Sequence, residues 1–172
     1  TASGGELYHI DPEHTFSSFE YMHWGLSLQR GRFDKNFGTI ELDAAAKTGA
    51  IDIQIEAASI STGSELFNSV LRSNGFFDVA NHPKIIFKST GMQFDDDRPV
   101  RADGELTIAG ITKPVSLEIT RFHCRFMILY LKQACGANGF AKILRSDFNL
   151  GRYVPFVSDE VTLHFSVEGI RE

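Results

Sequence analysis

The amino-acid sequence predicts an all-β fold of about eight antiparallel strands with one short helix. Three observations carry that expectation. Apolar and polar residues alternate with a period of two over most of the chain, the mark of strands with one dry and one wet face. Compact turn signals separate the alternating runs: Lys47-Thr48-Gly49, Asp95-Asp96-Asp97-Arg98-Pro99 and Ala109-Gly110-Ile111-Thr112-Lys113-Pro114. A single stretch, TGSELFNSVLRSNGFFDV at 62–79, instead places apolar residues at helical spacing. Strands joined by short turns form a sandwich or a closed barrel. Closure removes exposed edges, and about eight strands leave an interior that can hold one small ligand. Periodicity by itself does not choose between the two.

In chain order, SSFEYMHWG turns Phe19, Tyr21 and His23 to one face and Glu20 and Met22 to the other. IDIQIE sets Ile51, Ile53 and Ile55 against Asp52, Gln54 and Glu56. In the helical stretch, Thr62 followed three residues later by Glu65 is a capping-box pattern. Leu66, Phe67, Val70 and Leu71 then form one apolar stripe on a helix from Glu65 to Ser73, which Gly75 is suited to end in a left-handed conformation. So short a helix does not stand alone in water. Its stripe must lie on the sheet or across a barrel mouth, with Phe76 and Phe77 pointing the same way. The later strands ELTI, VSLEIT and VTLHFSVE repeat the alternation with Leu106 and Ile108, then Val115, Leu117 and Ile119, then Val161, Leu163, Phe165 and Val167.

The 172 residues contain no repeat, linker or low-complexity segment, so residues 1–172 read as one domain. Residues 1–5 read as a flexible mature terminus or a cloning remnant, and any signal peptide would already be gone. A formal charge of −5 without a basic tract argues against nucleic acid as a partner. Cys124 and Cys135 are two buried thiols in a reducing compartment or a bridge between facing strands in an oxidising one. His9, His14 and His23 are too widely spaced, and His123-Cys124 with Cys135 too sparse, to supply the three or four convergent donors of a metal site, so none is expected. No G-x-S-x-G elbow supports a catalytic triad. Glu56 and Glu105 fall on wet faces as solvated carboxylates, and Asp147, between Arg145 and Phe148, reads as a structural ion-pair partner.

At longer range the residues resemble the YceI-like polyisoprenoid-binding family from Tyr8 to Glu168. The resemblance begins with YHIDPEHT and the strand ending in His23, then Gly31-Arg32-Phe33 and Gly38, and continues through SISTG, FFDVANHPKIIFKST and GELTIAGITKPVSLEI. It closes with RSDFNLG and DEVTLHFSVE. The LTI-x-G-x-TKPV turn and the FFDV-x-x-x-P-x-x-x-F-x-S segment are its most specific parts. The resemblance implies an elongated, lipocalin-like antiparallel barrel with an apolar tunnel, the helix near its mouth and a long isoprenoid chain as guest. Where many members carry Arg-Asp, this chain has Phe67-Asn68, as in a periplasmic subgroup that also has Phe-x-Cys and Cys-Gly-Ala. Phe122-His123-Cys124 and Cys135-Gly136-Ala137 match those pieces, which implies a Cys124–Cys135 disulfide and a periplasmic or secreted location. The intervening RFMILYLKQA lacks the expected proline-containing loop. Its six apolar residues from Phe126 to Leu131 read as a buried strand pair or as a greasy lip that touches membrane.

A prenyl tail offers almost no hydrogen bonds, so its recognition depends on excluded water and on shape. Expected wall residues are Phe19, Tyr21, Phe33, Ile40, Ile53, Phe87 and Leu106. Leu66, Phe67, Val70, Leu71, Phe76 and Phe77 are expected at the mouth. His23 is either a satisfied core histidine or, with Tyr21, a hydrogen-bond partner for a quinone carbonyl or another head group. The expectation is a non-enzymatic carrier of one isoprenoid lipid, of the ubiquinone or polyprenyl phosphate type, with no catalytic cofactor. Transient membrane contact and a homodimer through the greasy segment stay open. Two rivals remain: an enzyme acting on a lipid or quinone through His23 and Tyr21, and a module that docks its helix and Phe126–Leu131 on a protein. An interior plugged by side chains would mark the latter.

Overall fold

The computed structural model describes residues 5–172; residues 1–4 of the terminal stretch lie outside the described residues. The strands are β1 (Glu6–Ile10), β2 (Phe16–His23), β3 (Ser27–Phe33), β4 (Asn36–Asp43), β5 (Thr48–Glu56), β6 (Ile60–Ser61), β7 (Lys84–Asp95), β8 (Arg98–Ile108), β9 (Ile111–Met127), β10 (Lys132–Leu144) and β11 (Glu160–Arg171). The helix α1 spans Glu65–Arg72, between β6 and β7. The ring β1-β4-β5-β7-β8-β9-β10-β11 closes through β1 and β11, which makes an eight-stranded antiparallel barrel. β11 pairs with β1 through Gly169–Arg171 and with β2 through Thr162–Ser166. β1 and β2 therefore run end to end along one neighbour, interrupted by a 3-10 turn at Pro12–His14. β4 and β3 continue the same two staves by pairing with β1 and β2 respectively. Among the described residues no helix is long and apolar enough to cross a membrane.

The strand directions define two ends. At one lie the β2–β3 tip, α1, the β8–β9 turn and the connection 145–159. At the other lie the β4–β5, β7–β8 and β9–β10 turns.

The closure seam contains Tyr8, which is 1% exposed. Its hydroxyl donates to Glu6 Oε2 and accepts from Gln133 Nε2 at 3.0 Å. Burial, and next the Glu6 carboxylate, push its pKa up to about 12. Between the ordinary value near 10 and that value the folded phenol holds a proton that the unfolded one has lost. Its contribution to stability is therefore complete below pH ~10 and disappears as pH rises towards ~12, a loss on the order of 2 kcal/mol. Urea midpoints on either side of that window measure it, and Tyr8→Phe is expected to flatten the slope.

The helix departs from its sequence reading in three ways. Its N-cap is Ser64, whose hydroxyl accepts from the Phe67 N–H at 3.3 Å, and the Thr62–Glu65 capping box does not form. The Thr62 hydroxyl and N–H instead both donate to Asn68 Oδ1, at 2.6 and 2.8 Å, while Glu65 pairs with Arg72 at 3.0 Å. Asn68 is thereby held on the inner face of α1 beside Phe67 and Leu71. Leu66, about 200° around the helix from Asn68, faces outward and is 80% exposed. It leaves the inward stripe. Finally, the helix ends at Arg72 with Ser73 as its C-cap; Gly75, at φ +101°, belongs to the following turn that returns Phe76 and Phe77 to the barrel.

Candidate functional site: an apolar bore

The barrel is hollow. A cavity of about 770 Å³ runs along it, from Tyr8, Leu42 and Cys135 near one end to Trp24, Val70 and Tyr153 at the helix end. The dry faces of Ile51, Ile53 and Ile55, of Leu106 and Ile108, of Val115, Leu117 and Ile119, and of Val161, Leu163, Phe165 and Val167 all line it. Phe19, Tyr21, Phe33, Ile40 and Phe87 also line it. At the mouth stand Phe67, Val70, Leu71, Phe76 and Phe77, but not Leu66. The ring of Phe77 meets Phe33 edge-on at 5.4 Å, and Phe33 contacts Phe19 at 5.8 Å, so the 76–77 turn is tied to the wall by aromatic packing.

Glycines keep the bore open. Gly31 lies directly across from Phe19, and Gly139 across from Phe165. A Cβ at either position would overlap the facing ring, as one at Gly104 would overlap Phe87. Without a Cβ in the way, each ring lies flat over its glycine along the wall. Gly104 and Gly139 are also hemmed in by backbone carbonyls, whereas the three atoms nearest a Cβ at Gly31 all belong to the Phe19 ring. Gly31→Ala is therefore expected to swing Phe19 into the bore and leave the backbone in place. The measurable result is a reduced capacity for a fluorescent apolar probe, about tenfold by affinity, with stability changed by about 1–2 kcal/mol.

Depth changes steadily along β2: Phe19 is buried, Tyr21 half-buried and His23 exposed at the rim. The expected core histidine is thus corrected. His23 shares the face of Phe19 and Tyr21, but β2 carries it past the edge of the barrel, where it bridges to Val157. Burial raises the Tyr21 phenol pKa and the nearby Arg145 guanidinium opposes the rise. Its hydroxyl has no hydrogen-bond partner among the described residues. Polar groups deep in the wall are satisfied. Asn36 donates to the carbonyls of Thr15 and Phe33 at 3.2 and 3.0 Å and accepts from the Ser17 hydroxyl at 2.7 Å. Asp52 Oδ1 is the single buried side-chain oxygen or nitrogen without a partner among the described residues, and Asp52 does not line the bore.

The connection 145–159 forms one side of the mouth, and periodicity gave no hint of its role. Arg145 anchors it. Its guanidinium donates to the carbonyls of Ser158 (2.8 Å), Leu150 (2.8 Å), Arg152 (3.0 Å) and Val157 (2.7 Å). Burial lowers its pKa. The ion-pair reading of Asp147 is corrected: that carboxylate is exposed and makes no salt bridge among the described residues, because Arg145 is committed to carbonyls. Asp159 fills the expected role differently, accepting from the Ser146 N–H and hydroxyl at 2.8 and 2.6 Å; the hydroxyl bond chiefly holds its pKa below the usual range. Beside it the β2–β3 tip closes onto the same connection: Trp24, at φ +51°, stacks on Phe156 with centroids 4.6 Å apart. Trp24, Tyr153 and Phe156 were missed because they lie in turns, where alternation is silent.

Cys124 and Cys135 are bonded to each other across the β9–β10 rung, and Cys135 lines the bore. The tertiary fold also gathers His14 with Asp11 (2.9 Å) and Glu168 (4.0 Å), a grouping hidden by sequence distance. It lies outside the bore, and the Asp11 hydrogen bond chiefly raises the His14 pKa. The lining is mostly hydrocarbon, and the arrangement can exclude water from a slender apolar chain.

The YceI-like domain family matches residues 8–169. Protein YceI of Escherichia coli O157:H7 is 34% identical over 171 residues, covering 96% of this chain and 87% of that protein. The crystal structure of Burkholderia cenocepacia BcnA superposes with a TM-score of 0.77 at 21% identity, covering 92% of this chain and 98% of that one. A polyisoprenoid binding domain from Saccharophagus degradans, implicated in plant cell wall breakdown, gives 0.72 at 17% identity, covering 96% and 98%. At those identities the two structures establish the shared barrel alone.

Proposed function

This chain belongs to the YceI-like domain family, and from that premise we propose that it binds a long-chain isoprenoid lipid and carries or sequesters it without chemical change. One observation carries the reading: the barrel encloses an apolar bore of about 770 Å³ whose lining reaches the exposed Trp24, Val70 and Tyr153 at the helix end. Taking the ~30 Å³ share of one water molecule as the room for a methylene-sized group, the bore accepts about 25 such groups, or about five isoprene units. Ten of them buried supply about 8 kcal/mol before ordering costs. A longer tail leaves its head group at the mouth, beside the unpartnered Tyr21 hydroxyl, His23 and Arg152. Those groups suit a quinone carbonyl or a phosphate, which supports a ubiquinone or polyprenyl phosphate. The polyisoprenoid-binding neighbour supports the same class.

The hollow interior disfavours a docking module with a plugged centre. The enzyme alternative has no specific support, since His23 and Tyr21 share no hydrogen bond. The Cys124–Cys135 disulfide fits an oxidising compartment outside the cytoplasm, in keeping with a periplasmic or secreted protein. The test is to purify the protein from its native cells, denature it, extract with solvent and identify the lipid by mass spectrometry. An isoprenoid at near-equimolar yield is the expected result. A reproducibly empty barrel that also fails to retain added quinone or polyprenol would sink the reading.

A further inference from the structure

β9 outruns the barrel. Its pairing with β8 stops at Glu118, so Ile119–Met127 is bonded to β10 alone, and β10 loses β11 beyond Ala134. The remainder is a two-stranded arm projecting from the end opposite the mouth. The expected buried strand pair is not there. Phe126, Ile128, Leu129, Tyr130 and Leu131 are all exposed at its tip, Ile128 and Leu129 by 78% and 80%. The Cys124–Cys135 bridge staples the base of the arm, which restricts the motion that would let so apolar a tip fold back.

Charge identifies what the tip meets. From Ile119 to Gln133 the chain has three cations, Arg121, Arg125 and Lys132, and no Asp or Glu, although the formal charge of the whole chain is −5. Arg121, Arg125 and Lys132 make no salt bridge among the described residues, so the apolar tip has a free cationic collar. Apolar side chains inserted ~5–10 Å, a tyrosine at the interface and basic groups at head-group depth are the pattern of an interfacial anchor on anionic lipid. We propose that the β9–β10 arm docks the barrel on an anionic bilayer, with the mouth directed away from that surface. A second copy fits less well. Antiparallel pairing of two β9 edges would set Arg121 and Arg125 against their own kind, and five side chains fall far short of the roughly 20–30 residues a side of a stable interface.

The anchor does not depend on the bore's cargo, so an empty barrel is expected to bind equally. The test is flotation of purified protein with vesicles of phosphatidylcholine alone and of phosphatidylcholine mixed with phosphatidylglycerol. The expected result is recovery with the mixed vesicles and at least about tenfold weaker partition onto the neutral ones. Binding is expected to fall as salt rises from ~0.1 to ~1 M, as screening requires. Ile128→Asp with Leu129→Asp is expected to abolish partition and leave the bore's retained lipid unchanged, because neither residue lines it. Should that variant misfold, Arg125→Gln with Lys132→Gln reads the same contact as a loss of about tenfold or more. Unchanged partition by a folded variant of either pair overturns the proposal. So does a wild-type protein that ignores both vesicle types, including one whose arm holds a dimer that the aspartates split.

Discussion

The Ile53→Asp protein is expected to fold and to come out of cells empty. Ile53 is in the middle of the bore wall, opposite Gly38 on one neighbouring strand and Phe87 on the other, and it is only half-buried because its side chain borders the cavity. In the empty barrel a carboxylate there can keep water. An apolar tail would strip that water away and return nothing, since the wall around Ile53 is hydrocarbon. Desolvating the charge costs at least about 3 kcal/mol, or a hundredfold or more in affinity. Ile53→Leu keeps the volume and is expected to bind like the wild-type protein. Equal lipid retention by Ile53→Asp and the wild type, measured by extraction and mass spectrometry, would remove this stretch of the bore from the binding site. Phe87→Asp poses the same question at a buried site, where a loss of folding is harder to separate from a loss of binding.

The largest loss of stability is expected at Arg145. Its four carbonyl partners span Leu150 to Ser158 and hold the connection against the mouth. Arg145→Met keeps the stem and removes every one of those bonds, leaving acceptors in a partly buried site. The expected cost is about 3–5 kcal/mol, or a fall of about 10 °C in Tm. Arg145→Lys offers three donors without the planar fork, and is expected to recover only part of the loss. Asp147→Asn is the control that separates the two readings of this segment. It should change stability by less than about 0.5 kcal/mol, whereas an ion pair with Arg145 would make its removal costly. Thermal unfolding of the three variants decides between them.

Alternation gave the facing of each strand correctly wherever it was strong. Ile51, Ile53 and Ile55 turn inward together, as do Val161, Leu163, Phe165 and Val167, because a strand repeats every two residues whatever lies beside it. The helix was legible for the same local reason. Its cap was not: Thr62 and Ser64 both suit the role, and Asn68 settled the matter by occupying Thr62 from the inner face. The disulfide partners came from family resemblance, and two cysteines in a row of strands would not by themselves have declared their pairing.

What the sequence determined alone was therefore the pattern of dry and wet faces, the one helix and the family. Only the tertiary structure decided how deep each inward residue lies and whether the middle is hollow. Closure depends on Tyr8 finding Arg171 across the whole length of the chain. Where the rim falls depends on registers between distant strands, and that offset leaves His23 at the mouth and Phe126–Leu131 in solvent. Period-two geometry is a property of neighbouring residues, whereas depth is a property of partners far apart in sequence.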